Sequence, residues 1–185
     1  MSEQKAEYGI TKSNYQRIVD LSHNEKVIQS FIQVVGSKRE AQAYIASVLI
    51  AVSGNQKLME CTPASIMSTA LRAATLRLSC DPALGHAYPV PYAGKATLQL
   101  GYRGIEQLAL RTNKYRFINS SALYEGQIME IDQLTGAANI RGLPSSSVVI
   151  GYFNFFQLYS GYSSCVYMTV EELDAHAQKY SKGYS

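Results

Sequence analysis

A short stretch of the sequence concentrates side chains that bind anions. Residues 100–116 read LGYRGIEQLALRTNKYR and contain four of the chain's seventeen Lys and Arg residues but one acid, Glu106. Three cations and an amide recur there at intervals of three or four: Arg103, Gln107, Arg111 and Lys114. A helix aligns residues at that spacing on one side. Such a row matches the phosphates of a nucleic-acid backbone, which Arg binds with bidentate hydrogen bonds.

Other candidate residues flank this helix, which is predicted from about Tyr102 to Asn113. Lys95 on the preceding strand and Arg116 beyond the helix are expected at its two ends. Arg72 lies off the apolar stripe of an earlier helix and is a further candidate. The opposite side of the helix is expected to pack on a sheet through Ile105, Leu108, Ala109 and Thr112.

Aromatic residues near the row offer flat faces on which any base can stack. They are Tyr88, Tyr92, Tyr102 and Tyr115. Two plainer interpretations stay open at this point. Basic helix faces are commonly just solvated, and tyrosines commonly pack in sheets or cores.

The positive charge of the chain is local. Residues 1–60 hold seven Lys/Arg and six Asp/Glu, a net +1, and residues 61–124 hold seven and two, a net +5. Residues 125–185 hold three and six, a net −3, so the sum is +3. A local excess of cations attracts polyanions.

The first part of the chain is predicted to be helical. Residues 1–11 are polar and are expected to be flexible, and helical patches follow from Asn14 to Val35. Ser37 and Glu40 have the spacing of a capping box that opens a helix to about Val52. An N-cap hydroxyl and a first-turn proline, Thr62-Pro63, open another helix. Its apolar stripe is Ile66, Met67, Ala70, Leu71, Ala74 and Leu78.

The period of the pattern changes from 3.6 to 2 after Gly85. HAYPVPY, AG and KATLQLGY predict a strand, a tight turn and a second strand, with the proline-containing strand at an edge. Further strands are expected over 116–123, 129–141 with a bend, and 148–159. Thr169 and Glu172 then form a capping box for a last helix.

This order predicts an α+β fold: N-terminal helices, then a β-β-α-β-β-β-α core with a mostly antiparallel sheet. After the flexible end, 1–11, one domain is expected over 12–185. It would be helical over 12–80 and sheet-plus-helix over 81–185.

Several classes of function lack their sequence signals. The chain has no apolar run of about 18 residues, no secretory signal, no P-loop and no metal-ligand spacing around its three His residues. We therefore expect no membrane contact, no cofactor, no metal site and no enzyme activity. An enzyme with an unrecognised site stays possible, besides the two functions considered below. The cysteines Cys61, Cys80 and Cys165 are expected to be reduced and buried, with a Cys61–Cys165 disulfide as the alternative.

The block DPALGHAYPVPYAGKATLQLGYRGIEQLALRTNKY, residues 81–115, resembles the RecT family of phage single-strand DNA annealing proteins. YEGQ at 124–127 and MTVEELDAHAQKYSK at 168–182 follow in the same order, and the likeness covers roughly Ile45 to the end. Ser79-Cys80 stands where members often have Gly-Leu, which we interpret as a packing variant. The family also continues into a further helical region, whereas this sequence ends at Ser185.

The resemblance implies a function and partners. Such proteins bind single-stranded DNA and anneal complementary strands without ATP, through a duplex intermediate. They assemble as rings or helical filaments with a basic groove, beside a phage-encoded 5′→3′ exonuclease. Homologous recombination and repair in the cytoplasm of a bacterial host would be the setting.

The resemblance also implies which residues face DNA. Those in the matching blocks are Lys95, Arg103, Gln107, Arg111 and Lys114, and more weakly Lys179 and Lys182. The alternative is a structural or regulatory module that oligomerises and presents its basic face to an acidic protein, without annealing.

Overall fold

A computed structural model describes residues 13–181, so the predicted flexible end at 1–11 lies outside the described residues. The chain is an α+β protein, as predicted. It forms two compact units, of which the first ends at Leu108 and the second begins at Ala109. The single domain expected over 12–185 stays a prediction.

Helices make up the described part of the first unit up to residue 80. Ser37 is the predicted N-cap and accepts a hydrogen bond from the Glu40 N–H at 3.2 Å. Thr62, by contrast, makes no side-chain cap bond with a described residue, so Pro63 with its preset φ is the stronger start signal. The helices are α1 (Asn14–Ser22), α2 (Glu25–Val35), α3 (Lys38–Ser53), α4 (Gln56–Met59) and α5 (Pro63–Thr75).

The apolar stripes of these helices meet in one core. Phe31 of α2, Val48 of α3 and Ile66 of α5 are at most 1% exposed. Full burial of each such side chain stabilises the fold by roughly 1.5–3 kcal/mol. The predicted stripe of α5 is confirmed, because every member except the half-buried Leu71 is buried. α5 packs against α1, α2 and α3 and is the centre of the unit.

A two-stranded hairpin follows the helices. β1 (Ala87–Tyr92) and β2 (Lys95–Leu100) pair antiparallel, as predicted. The turn residues Ala93 and Gly94 have φ of 47° and 75°. Positive φ at both positions is the geometry of a type I′ turn, whose twist matches that of the strands.

The prolines of β1 lie at positions where no ladder donor is needed. The Ala96 N–H donates to Ser65 Oγ at 2.9 Å, and its carbonyl accepts from Thr69 Oγ1 at 3.0 Å. Both polar groups of Ala96 therefore point away from β1, and so do those of its partner Pro91. Pro89 is two residues before Pro91, so its backbone nitrogen also points away from β2. The two prolines also remove two donors for strand addition from the other edge of the hairpin.

The second unit is built on a three-stranded sheet. α6 (Tyr102–Leu110) leads into it, and the sheet consists of β3 (Tyr115–Tyr124), β6 (Val149–Leu158) and β7 (Ser163–Thr169), with β6 in the middle. A separate hairpin, β4 (Ile128–Ile131) and β5 (Ala138–Arg141), lies between β3 and β6 in sequence, and α7 (Val170–Tyr180) follows β7. All strand pairs in the three sheets are antiparallel.

The capping box predicted for the last helix is confirmed. The Thr169 hydroxyl accepts from the Glu172 N–H at 3.2 Å, and the Glu172 carboxylate accepts from the Thr169 N–H at 2.9 Å. Two orphan donors of the first turn are thereby satisfied. The helix then runs to Tyr180, as expected.

The prediction of one bent strand over 129–141 is wrong, because this segment is the β4–β5 hairpin. Asp132 makes the turn: its carboxylate accepts from the Leu134 N–H at 2.9 Å and from the Thr135 hydroxyl at 2.8 Å. These bonds hold the pKa of Asp132 below its ordinary value, and Gly136 closes the turn with φ of 69°.

The second unit buries far less apolar surface than the first. Among the described residues after Leu108, Leu123 is the one hydrophobic residue classed as buried. Apolar side chains are instead half-buried or exposed on both faces of its sheet. Large examples with more than half of their surface exposed are Phe117, Tyr152 and Val166.

All three cysteines are free thiols. Cys61 and Cys80 are buried, as predicted, and Cys165 is half-buried. Burial raises the pKa of Cys80 to about 11. No helix among residues 13–181 combines the length and the apolar character needed to cross a bilayer.

Candidate nucleic-acid interface

Two glycines bring the start of α6 against the loop that precedes β1. The Gly101 N–H donates to the His86 carbonyl at 3.0 Å. A Cβ at Gly101 would collide with the Gly85 carbonyl oxygen, and a Cβ at Gly104 would collide with that of His86. Only glycine permits this approach of backbone to backbone. The residues between the two glycines are therefore held beside the base of the hairpin.

These intervening residues, Tyr102 and Arg103, are both exposed. The Arg103 Nε–H donates to the Tyr102 hydroxyl at 3.1 Å, and the guanidinium carbon lies 5.8 Å from the centre of that ring. The hydrogen bond to Tyr102 raises the pKa of Arg103 above its ordinary value, with smaller contributions from Tyr88 and Glu106. The group is thus a permanent cation held at the side of an aromatic ring.

The outer face of the hairpin continues this surface. Side chains alternate along β2, so that Ala96 faces the core while Lys95, Thr97 and Gln99 are exposed. Tyr92 is 75% exposed and lies directly across from Lys95. We call the whole set the hairpin surface: Tyr88, Tyr92, Lys95, Thr97, Gln99, Tyr102 and Arg103.

The position of Lys95 differs from the prediction. It begins β2, at the tip of the hairpin, and Leu100 ends β2 next to α6. The two residues are five positions apart along the strand, which is roughly 17 Å. Lys95 therefore does not lie beside the end of the helix, and the hairpin surface is a strip with a cation at each end.

Two other predicted residues lie near this strip in the first unit. Arg72 is exposed on the same stripe of α5 as Ser65 and Thr69, whose hydroxyls bond the edge of β2. Arg72 therefore borders the hairpin. Gln107 is half-buried, one turn along α6 from Arg103.

The predicted apolar side of α6 is only partly correct. Leu108 packs against the core of the first unit, but Ile105 is 57% exposed. Gly104 makes the close contact instead, on the backbone of His86. The 3.6 period treats Ile105 as a core residue because it does not see that a glycine can be the packing position. Thr112, expected on the same side, is exposed beyond the end of the helix.

The predicted row does not continue along one helix. α6 ends at Leu110, and the Thr112 and Asn113 N–H groups form short bonds three residues back, with Asn113 at φ 54°. Arg111 and Lys114 are exposed in this turn, in the second unit. The helix therefore carries Arg103 and Gln107 only.

The remaining candidates also belong to the second unit. Arg116 is exposed at a bulge in β3, and its guanidinium carbon lies 5.3 Å from the centre of the Phe117 ring. Lys179 is exposed on α7, with its ammonium 5.1 Å from the Tyr180 ring. Lys182 lies outside the described residues.

The cations of the hairpin surface lack ion pairs with carboxylates among the described residues. Arg141 shows the contrast, because its Nε lies 2.7 Å from a Glu130 carboxylate oxygen. Lys95 and Arg103 have no such partner in residues 13–181. Their charge is available to an outside anion. Across the same residues, no group of three or more His, Cys, Asp or Glu side chains is placed to hold a metal ion.

The tyrosines divide between the two interpretations left open by the sequence. Tyr92 and Tyr102 are 75% and 73% exposed, and Tyr88 is 37% exposed. Tyr115 instead packs edge-to-face on Phe156, with ring centres 5.6 Å apart. The sequence reasoning missed Thr97 and Gln99. The alternation of KATLQL already signals that their side chains face the same way as that of Lys95.

Comparison with known proteins supplies a family. A family model described as RecT family matches residues 42–185. A protein of Bacillus subtilis strain 168, named uncharacterized protein YqaK, is 40% identical over 163 residues. The match covers 88% of this chain and 57% of that protein, so the chain spans little more than half the length of this relative.

Proposed function

The chain belongs to the RecT family, and on that premise we propose that it binds single-stranded DNA through the hairpin surface and anneals complementary strands without ATP. The family supports single-strand annealing in recombination. The observation that carries the assignment of the surface is its chemistry: two cations without carboxylate partners among the described residues, beside exposed tyrosines.

The proposed contact to DNA is sequence-independent. Lys95 and Arg103 neutralise phosphates, and each neutralised phosphate releases counterions. Tyr92 and Tyr102 stack on bases through flat faces that every base can use. Thr97 and Gln99 add hydrogen bonds to the sugar–phosphate backbone, as hydroxyl and amide side chains commonly do.

The proposed annealing step uses the energy of base pairing itself. A strand held by its phosphates presents base edges to a second strand. Correct pairing gains about 1.4 kcal/mol for each stacked step, so the protein needs only to hold the strands in register. No step of this scheme consumes ATP or another nucleoside triphosphate.

We extend the proposal to the assembly. Subunits line up as a ring or a helical filament, so that their basic surfaces form one groove and affinity grows with the length of DNA. A 5′→3′ exonuclease supplies the single strands in phage recombination in the bacterial cytoplasm. The excess of positive charge within 61–124 supports a DNA-binding surface in this part of the chain.

The proposal is tested by mixing two labelled complementary oligonucleotides with the protein, without ATP, and following fluorescence transfer. We expect annealing faster than in buffer alone. The variant Lys95→Ala with Arg103→Ala should lose most of this acceleration. The control Lys26→Ala with Arg39→Ala removes the same charge from exposed positions on α2 and α3 and should keep it.

An equal loss in both double variants would mean that net charge, and not the hairpin surface, drives annealing. A wild-type protein that assembles but neither binds nor anneals DNA would instead favour the alternative function, an interaction module for an acidic protein.

A further inference from the structure

We propose that the second unit contains a pocket for a single nucleobase of the bound strand, between the β4–β5 hairpin and the sheet face formed by β3 and β6. The inference rests on the proposed function, because it assigns a second contact to the same ligand. It adds a site for one whole base, in a unit where most of the candidates predicted from the sequence are cations.

The pocket has large apolar side chains on two sides and a small volume. Met129 and Ile140 line it from the hairpin, where they are cross-strand partners, and Phe153 and Phe155 line it from β6. Its volume is about 280 Å³. Pockets for drug-sized molecules span roughly 300–1,000 Å³, so this one suits one planar ring system better than a length of peptide.

Two asparagines, Asn119 and Asn139, line the pocket together with these apolar side chains. Asn119 of β3 lies directly across from Phe155, on the same face of the sheet, and lines the pocket. Its amide has no hydrogen-bond partner within residues 13–181. Asn154, on the opposite face of the sheet, instead donates to Ser120 Oγ at 2.7 Å. An unpaired amide has both a donor and an acceptor for the edge of a base.

A cation lies at the right distance for the phosphate of the same nucleotide. Phe117 is two residues before Asn119 on the same face and is 53% exposed, and Arg116 covers its ring. Arg116 and Asn119 are three residues apart on an extended strand, roughly 10 Å. The bulge at Arg116 shifts the register of β3, which places Phe117 across from Gln157. The Arg116 cation, the Phe117 ring and the Asn119 amide beside the pocket therefore follow one another along β3.

These features favour a base over a protein side chain as the occupant. An apolar side chain from a second copy would leave the amide of Asn119 without a partner and would not use the cation beside it. Aromatic side chains beside hydrogen-bonding groups are typical of sites that bind unstacked bases. Splaying a base out of a single strand costs little, because the base has no partner to lose.

The test compares two oligomers of equal length, thirty deoxythymidines and thirty abasic sugar–phosphate units. Asn119→Ala should weaken binding of the thymidine oligomer roughly five-fold, the equivalent of one hydrogen bond, and leave binding of the abasic oligomer unchanged. Phe155→Leu, which keeps apolar bulk, should lower the affinity for the thymidine oligomer at least about five-fold, because the stacking contact is lost. Arg116→Ala should weaken both oligomers equally.

Asn154→Ala is the matched control, because it removes an amide from the other face of the same sheet, and it should change neither affinity. Asn119 is exposed, so its replacement leaves the fold intact even if Phe155→Leu does not. A wild-type protein that binds the thymidine oligomer no more tightly than Asn119→Ala overturns the pocket alone. A wild-type protein that binds neither oligomer overturns the proposed function as well.

Two further measurements locate the base. Oligonucleotides carrying 5-iodouracil should crosslink to the peptide that contains Phe153 and Phe155; crosslinks confined to the hairpin surface would contradict the assignment. Sedimentation without DNA should be the same for wild type and Asn119→Ala. A change in assembly state would show that the pocket takes a protein segment and not a base.

Discussion

The close approach of α6 to the loop before β1 makes Gly104 a sensitive position. In Gly104→Ala the new Cβ would lie 2.9 Å from the carbonyl carbon of His86 and 3.2 Å from its Cα, besides colliding with its oxygen. All three atoms are backbone, so none can rotate away. Ordinary carbon contacts begin near 3.5 Å, so α6 must move by at least several tenths of an ångström.

Overpacking of this kind costs roughly 1–3 kcal/mol, against at most about 1 kcal/mol gained from the better helix propensity of Ala. A net loss of roughly 1–2 kcal/mol lowers Tm by about 2–8 °C in a protein of this size. The shift also moves Arg103 and Tyr102, so affinity for single-stranded DNA should fall in parallel.

Gly54→Ala is the control, measured by the same thermal melts and binding titrations. Gly54 has φ of −87°, and a Cβ there would meet only the Ile50 oxygen, at 3.8 Å. This change should raise stability by about 0.4–1 kcal/mol and leave DNA binding unchanged. If Gly104→Ala is as stable as Gly54→Ala and binds DNA as wild type does, the contact between α6 and His86 does not exist in solution.

Three further predictions concern charge, capping and burial. Lys95→Ala with Arg103→Ala should make the slope of log affinity against log salt shallower by about 1.4, because each phosphate contact to a single strand contributes about 0.7; the charge-matched control pair defined above should keep the wild-type slope in titrations at several salt concentrations. Thr169→Ala should cost about 1 kcal/mol of unfolding free energy, whereas Thr62→Ala, at a cap without a side-chain bond to a described residue, should cost much less in the same denaturant experiment. The pKa of Cys80 is about 11 in the fold against an ordinary 9.0, so this thiol ionises first in the unfolded chain, and its contribution to stability should be constant up to about pH 9 and be lost between pH 9 and 11. The fall in unfolding free energy over that range should be smaller in Cys80→Ala than in wild type; an equal fall in both would show that other groups are responsible.

Much of the fold can be predicted from local signals. The Thr169 capping box, the turn at Ala93-Gly94 and the start of α5 at Pro63 all act through the residues next to them, so their sequence pattern is enough. The sequence pattern does not predict the β4–β5 hairpin, because its turn depends on hydrogen bonds that the Asp132 carboxylate accepts from residues further along the chain. A bend and a turn have the same apolar spacing at this length.

The site shows the opposite balance. Its cations are visible in the sequence, but the position of Lys95 at the hairpin tip follows from the length of β2, and the exposure of Ile105 follows from the packing of Gly104. The pocket beside Asn119 could not be predicted at all. It depends on a register, Asn119 across from Phe155, that joins strands distant in sequence.

The uneven burial of the two units has a thermodynamic consequence. The first unit has a buried hydrophobic core of its own, so its folding equilibrium depends mainly on contacts within that unit. After Leu108, Leu123 is the one described hydrophobic residue that is buried. The stability of the second unit therefore depends more on a partner or ligand that covers its exposed apolar surface. Its melting should therefore rise with protein concentration by mass action, while amide exchange in the core of the first unit, measured without DNA, should change less.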